Sequence, residues 1–175
     1  VGSEMCIRDS VSWDRTDRDN LKLLAEAGPE VLGVFTHERA NVGGEQWDLV
    51  ASPESGAVAT RDGVEIVRAH DSLKRSRQIR VEVEGRTYDF VGETSQNWII
   101  DDASGTKVAQ FTSDHNGVRK AILEFEGETS LPLVDVASLA WISREILEAR
   151  KLVSSNVLIA TLLLFSLVAV LVFVL

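Results

Sequence analysis

The stretch Leu133–Lys151, LVDVASLAWISREILEARK, decides how the rest of the chain is organised. Pro132 precedes it and Asp135 lies in its first turn, a combination typical of a helix start. The first half of the stretch is apolar on nearly every face, and a helix that is apolar all round is a buried helix. We therefore predict a central helix that the fold encloses, with these core residues: Val134, Val136, Leu139, Trp141 and Ile142.

After Ser143 the same stretch becomes amphipathic. The spacing directs Ile146 and Leu147 inward, and it directs Arg144, Glu148 and Lys151 outward.

The chain before this helix has the pattern of antiparallel strands. Between Val31 and Phe125 nine β-branched and aromatic runs are separated by Gly, Asn, Asp or Ser clusters. Glu84-Gly85 as a two-residue loop predicts a hairpin that pairs Val81 with Tyr88, and Asn116-Gly117 predicts a second one. The sequence predicts a mainly β fold with C-terminal helices: an antiparallel meander or barrel around an apolar central helix, followed by one transmembrane helix.

The chain divides into four predicted segments. Residues 1–10, VGSEMCIRDS, resemble a translated sequencing-adapter artefact, so we expect the natural N-terminus to be missing. Residues 11–30 hold a short helix over Thr16–Ala27, for which a strand through Leu21–Leu24 is the alternative. Residues 31–152 form the β domain, including the helix at 133–151.

The last segment, 153–175, is predicted to be a transmembrane helix. Val157–Leu175, VLIATLLLFSLVAVLVFVL, carries no charge and as a helix has about the length of a bilayer's ~30 Å hydrocarbon core. A buried core helix is the alternative. Arg144, Arg150 and Lys151 precede the segment, so the positive-inside rule predicts a single-pass cell-membrane protein whose domain faces the cytoplasm.

Composition narrows the function classes. The chain has 18 Lys and Arg against 27 Asp and Glu, a net charge of −9, which argues against nucleic-acid binding. Cys6 is the only cysteine, so an internal disulfide is excluded. The sequence has no Gly-x-Ser-x-Gly, phosphate-loop or metal-ligand motif. We expect no enzymatic activity, no cofactor, no metal and no small-molecule substrate.

One local excess of positive charge is a candidate site for anionic lipid headgroups. Within residues 68–80 there is one acid, Asp71, and there are five cations: Arg68, Lys74, Arg75, Arg77 and Arg80. The alternative is a solvated loop beside an edge strand protected by its charge.

Two similar hairpins carry a resemblance to a known family. Trp98-Ile-Ile-Asp-Asp-x-Ser-Gly-x-x-Val-Ala is echoed from Trp47 onward, and the apolar helix Leu133–Leu147 follows. The pattern resembles the tubby-like barrel superfamily, which includes LURP-one-related proteins and phospholipid scramblases. The resemblance implies a closed barrel of twelve antiparallel strands around a hydrophobic helix, and lipid binding. The nine predicted strands and the second apolar helix depart from it.

These observations lead to three functional hypotheses. The first is a membrane-anchored, non-catalytic binding domain for anionic lipid headgroups or a protein partner. The alternative is scramblase-like lipid translocation or membrane remodelling, and the third is a membrane-tethered enzyme.

Overall fold

Twelve strands form one closed antiparallel barrel. The computed structural model describes residues 10–25, 29–94, 97–112, 122–126 and 130–174, without the side chains of 122, 152–158 and 172–174. Each strand pairs with its neighbours in the sequence, and β1 pairs with β12 to close the barrel. The elements are β1 (Ser10–Asp14), β2 (Leu21–Ala25), β3 (Val31–Phe35), β4 (Arg39–Val42), β5 (Glu45–Ser52), β6 (Gly56–Arg61), β7 (Val64–Ala69), β8 (Gln78–Val83), β9 (Arg86–Gly92), β10 (Asn97–Asp102), β11 (Lys107–Thr112), β12 (Ile122–Phe125) and α1 (Leu133–Val174).

The first part of α1 runs through the barrel interior. Every residue from Asp135 to Arg144 is buried, nearly three turns without an exposed face. Of the predicted central-helix residues, Val134 is partly buried, whereas the other four are at most 1 % exposed: Val136, Leu139, Trp141 and Ile142. The strands enclose this helix with alternating apolar side chains, so barrel and helix share one core.

The β8–β9 hairpin has the predicted register. Val81 pairs with Tyr88 and Ile79 pairs with Phe90 across Glu84-Gly85. Both turn residues have positive φ, 45° for Glu84 and 82° for Gly85, as the tight two-residue turn that matches strand twist requires. The predicted Asn116-Gly117 hairpin lies outside the described residues.

The barrel has three strands beyond the nine that the sequence pattern predicts: β1, β2 and β4. The short helix predicted over Thr16–Ala27 is wrong, and the alternative, a strand through Leu21–Leu24, is confirmed: Leu21–Ala25 is strand β2 and pairs with both β1 and β3. Hydrogen bonds to two neighbouring strands outweigh the weak helical preference of this segment. Of the set-aside residues 1–10, only Ser10 is described, and it begins β1.

Both predicted C-terminal helical segments are helical, and they join into the single element α1. No helical stretch within the described ranges is both long and apolar enough to cross a membrane. The predicted transmembrane helix is therefore not found: its apolar side chains are described only from Ile159 to Leu171, about 20 Å of helix. The side chains of 157–158 and 172–175 lie outside the described part.

The helix α1 enters the barrel at one end and leaves it at the other. We call the end with the turns at 43–44, 62–63 and 84–85 the start end, because α1 enters the barrel there. We call the end with the loops at 15–20, 36–38 and 70–77 the exit end, because α1 leaves the barrel there.

Candidate functional site: the exit end of the barrel

The structure divides the predicted headgroup residues between two places. Arg68 and Arg80 lie on the outer wall of the barrel, in β7 and β8. Lys74, Arg75 and Arg77 lie in the loop that joins these strands at the exit end. The five cations therefore do not form one patch, and only the loop cations are near the emerging helix.

Most of these cations are paired with acids. On the outer wall the Arg68 guanidinium contacts Glu65, and Arg80 Nε lies 3.3 Å from Asp89 Oδ1. A side-chain hydrogen bond from Arg68 holds the pKa of Glu65 below its usual value. Exposed pairs of this kind contribute little to stability, but they reduce the attraction of the wall for an anion.

The same holds in part of the β7–β8 loop. Lys74 Nζ contacts Glu54, and Arg75 Nε lies 3.9 Å from the same carboxylate. Arg77 is exposed and makes no ion pair within the described residues. Of the predicted headgroup residues, Arg77 is thus the one that the described surface leaves most accessible to an external anion.

The loop is fixed against α1 through Arg150. Arg150 Nη2 donates a 2.6 Å hydrogen bond to the Ser76 carbonyl, and its guanidinium lies 4.6 Å from the Trp98 ring centroid. Burial lowers the pKa of Arg150, and the positive charge of Arg77 lowers it further. The helix therefore brings a second cation beside Arg77 at the point where α1 leaves the barrel.

Arg144 is the functional candidate that sequence reasoning placed wrongly. It was predicted on the outer face of the helix, but it is only 5 % exposed, because the exit end extends over it and Trp13 covers its guanidinium at 5.1 Å. Its Nη2 donates to Glu145 Oε1 at 2.7 Å. Burial raises the pKa of Glu145, and Arg144 partly opposes that shift.

Beyond the barrel, the described part of α1 is apolar and exposed on every side. Four consecutive residues, Leu162 to Phe165, are 59–66 % exposed, and consecutive positions on a helix point in all directions. The hydroxyl of Ser166 donates to the Leu163 carbonyl at 2.8 Å, which satisfies it within the helix. We call residues 159–171 the apolar end of α1.

At the start end, a buried acid on α1 joins a series of ion pairs. Asp135 is fully buried and accepts two hydrogen bonds from Arg86, at 2.7 and 2.6 Å, and a third from the Tyr88 hydroxyl. The hydrogen bond to Asp135 raises the pKa of Arg86, whereas burial, and then the bond to Asp135, raises that of Tyr88. Arg86 also contacts Glu84, which continues the series toward the turns.

Sequence reasoning missed the role of Asp135 beyond the helix start. The only signal was a lone acid in two otherwise apolar turns. The carboxylate of Asp135 finds its hydrogen-bond donors, Arg86 and Tyr88, within the fold. We therefore assign these three residues a structural role: they fix the rotation of α1 and its position along the barrel axis.

Comparisons with protein-family models, with curated proteins and with solved structures found no match. The function must therefore be argued from the site. Within the described residues there is also no group of three or more His, Cys, Asp or Glu side chains arranged to hold a metal ion.

Proposed function

We propose that this protein is a non-catalytic binding module of the tubby-like, LURP-one-related type, held at the cytoplasmic face of the cell membrane by the apolar end of α1. The twelve strands closed around a central helix support the family assignment, since this is the architecture that the resemblance implies. The strand count removes one of the two departures noted from the sequence.

The apolar end of α1 carries the membrane proposal. A helix that docks on a protein partner is amphipathic, because only one face is covered. Residues 159–171 instead expose large apolar side chains on all faces, from Val168 at 48 % to Phe165 at 66 %. An environment that surrounds the helix must therefore be apolar, and lipid acyl chains meet that condition.

Cations beside the apolar end support the same orientation. Arg77, Arg150 and Lys151 lie at the exit end, within reach of the level where headgroups would surround the emerging helix. Near a membrane surface each accessible cation contributes about 1 kcal/mol of attraction to anionic lipids. Arg144, Arg150 and Lys151 precede the apolar end, so the positive-inside rule assigns the barrel to the cytoplasm.

Vesicle flotation tests the proposal on the full chain. The protein is transferred from detergent into vesicles of phosphatidylcholine and phosphatidylglycerol and centrifuged on a density gradient. We expect the wild type to float with the vesicles. The double substitution Leu164→Asp and Val168→Asp should keep the protein in the dense fraction, since each buried aspartate costs roughly 2.5–3.5 kcal/mol in a bilayer.

The matched control is Leu164→Ala with Val168→Ala, which shortens the same exposed side chains without charge and should still float. Circular dichroism checks that all variants retain the barrel. A wild type that stays in the dense fraction, or an aspartate variant that floats equally well, contradicts the proposal.

A further inference from the structure

Two carboxylates share one buried guanidinium where α1 leaves the barrel. Glu145 and Glu148 lie three positions apart on the helix, and Arg144 forms an ion pair with each of them. A second cation comes from the β1–β2 loop, where Arg15 Nη2 lies 2.5 Å from Glu148 Oε1. We call Arg15, Glu148 and Arg144 the exit bridge, because these three side chains join the β1–β2 loop to α1.

Arg144 is bound more closely to one carboxylate than to the other. Its Nη2 donates to Glu145 Oε1 at 2.7 Å, whereas its Nε lies 3.5 Å from Glu148 Oε1, beyond the usual length of such a hydrogen bond. That Nε is buried and has no hydrogen-bond partner among the described residues. A buried donor without an acceptor is costly, so an arrangement that brings Nε onto Glu148 competes with the observed one.

Glu145 is the carboxylate that more readily takes up a proton. Its side chain is 17 % exposed against 39 % for Glu148, so it is the more desolvated of the two, yet protons still reach it. Burial raises the pKa of Glu145 most, and the neighbouring charge of Glu148 raises it further. Arg144 and His37 oppose that rise in pKa.

The charged groups around Glu145 come from three elements. Within the described part of the chain, Arg144 and Glu148 on α1 and His37 in the loop 36–38 act on it directly. The same three residues line a groove of about 970 Å³ between β1, the β1–β2 loop, the β3 end and α1. The groove gives solvent access to the cluster, and its other charged side chains are Asp14, Arg15, Arg18 and Lys151.

We propose that Glu145 is a proton-controlled switch that selects the partner of Arg144 and thereby sets how firmly α1 is held at the exit end. When Glu145 is ionised, it binds the guanidinium of Arg144 and repels Glu148. When Glu145 takes up a proton, it loses both its charge-assisted bond with Arg144 and its repulsion of Glu148. Arg144 then closes onto Glu148 and completes the exit bridge. The switch depends only on the barrel and α1, not on what surrounds the apolar end.

The direction of the pH effect follows from the raised pKa of Glu145. In the unfolded chain this side chain has the ordinary pKa of 4.5. The stability that its protonated form contributes is fully present below that value, and it is lost as pH rises through the higher folded pKa. The exit end is therefore held more firmly in mild acid than at neutral pH.

Carbon-13 NMR of the full chain in neutral detergent, with labelled glutamate carboxyl carbons, measures the switch directly. Glu145→Gln removes one resonance and so assigns it. We expect the Glu145 resonance to titrate at a higher pH than those of exposed glutamates. Glu148→Gln should lower its midpoint, because a like charge is removed, and His37→Gln should raise it, because a positive charge in acid is removed.

Hydrogen exchange followed by mass spectrometry measures the exit bridge. Wild type and Glu145→Gln are compared at the same pH, so that intrinsic exchange rates cancel. At about pH 7.5 peptides covering 14–20 and 144–151 should exchange about threefold to tenfold faster in the wild type, because Glu145→Gln imitates the protonated form. The two proteins should converge as pH falls toward 4.5.

Two variants separate a switch from a merely stabilising side chain. Glu148→Gln removes the second partner of Arg144, so adding Glu145→Gln to it should no longer slow exchange at about pH 7.5. Glu126→Gln neutralises an exposed acid that pairs with Lys107 at 2.6 Å, and it should behave as the wild type in both measurements. The proposal is overturned if Glu145 titrates with the exposed glutamates, if Glu145→Gln exchanges as fast as the wild type at about pH 7.5, or if its effect persists without Glu148.

Discussion

The two ends of the barrel differ in how completely their charged side chains are paired. At the start end, ion pairs run without interruption from Glu45 through Arg61, Glu84 and Arg86 to Asp135, with N–O distances between 2.5 and 3.4 Å. At the exit end, the cations of α1 keep donors without acceptors. Arg144 Nε and Nη1 and Arg150 Nε are all buried, and none has a hydrogen-bond partner within the described residues.

This difference indicates a division of labour. A fully paired network fixes one arrangement of helix and strands, and it has nothing left to offer a ligand. An incompletely paired one contributes less to stability, because a buried donor without an acceptor carries a desolvation cost. The start end therefore holds the helix in place, while the exit end is the one that our proposal directs toward the membrane.

The largest effect is expected from breaking the start end at Asp135. Asp135→Ala removes the acceptor of Arg86 and Tyr88, and we expect the free energy of unfolding to fall by about 3 kcal/mol. This lies at the low end of values for breaking buried pairs, because the Arg86 side chain is 42 % exposed. Denaturant unfolding followed by tryptophan fluorescence measures it in detergent.

The control for that substitution lies at the other end of the same series. Glu45→Ala removes an exposed carboxylate that pairs with Arg61 at 2.5 Å, and it should cost about 0.5 kcal/mol. If both variants lose the same free energy of unfolding, the burial of Asp135 does not make its ion pair more stabilising than the exposed pair of Glu45.

An intermediate effect is expected at Tyr88, and it depends on pH. Burial and the bond to Asp135 raise the pKa of Tyr88 above its ordinary value of 10.0. The stability it contributes is fully present below pH 10.0, the value for the unfolded chain, and is lost as pH rises from there toward the higher folded pKa. Tyr88→Phe should cost about 1.5 kcal/mol at neutral pH and remove this alkaline loss.

The sequence makes this measurement unusually direct. Tyr88 is the only tyrosine of the chain, so tyrosinate absorbance reports it alone. Ionisation at the ordinary pKa while the barrel is still folded would contradict the prediction. Asp135→Asn is the complementary variant: without the negative charge, the pKa of Tyr88 should fall toward its ordinary value.

The smallest effect is expected at the exit end. Arg150→Met keeps an extended side chain over Trp98 and removes a partly buried charge that has no carboxylate partner among the described residues. We expect the free energy of unfolding to change by less than about 1 kcal/mol, because apolar replacement of buried charge is often neutral. A loss as large as that of Asp135→Ala would mean that both ends stabilise the fold equally.

Short-range chemistry made a large part of this fold predictable. The Glu84-Gly85 turn fixed the register of its hairpin, and the run of apolar residues around Trp141 predicted a helix with no exposed face. Both signals are complete within a few residues of sequence, so neither needed knowledge of distant partners.

The errors came from interactions between distant segments. The short helix was predicted to begin at Thr16, but Asp17 accepts hydrogen bonds from the backbone N–H groups of Asp19 and Asn20 within a loop. The segment that follows becomes β2 through pairing with β1 and β3. Local patterns do not contain that information.

The candidate site was less predictable than the fold, for the same reason. Arg86 and Asp135 are 49 positions apart in the sequence, and nothing local joins them. Arg144 lies in an amphipathic stretch that directs it outward, but it is 5 % exposed in the structure, where β1 places Trp13 over its guanidinium. The groove therefore depends on closure of the barrel and is not visible in any single segment.

The seam between β1 and β12 has a consequence for how the protein is made. Val11 pairs with Leu123, so the barrel cannot close until nearly all strands have been synthesised, and α1, the centre of the core, follows β12 in the chain. Strands that are synthesised earlier keep unpaired edges and solvent-exposed apolar inner faces until then. Such non-local closure makes for slow folding and a long interval of aggregation risk. We therefore expect the last folding step to be the packing of α1 into the barrel together with the pairing of β1 and β12.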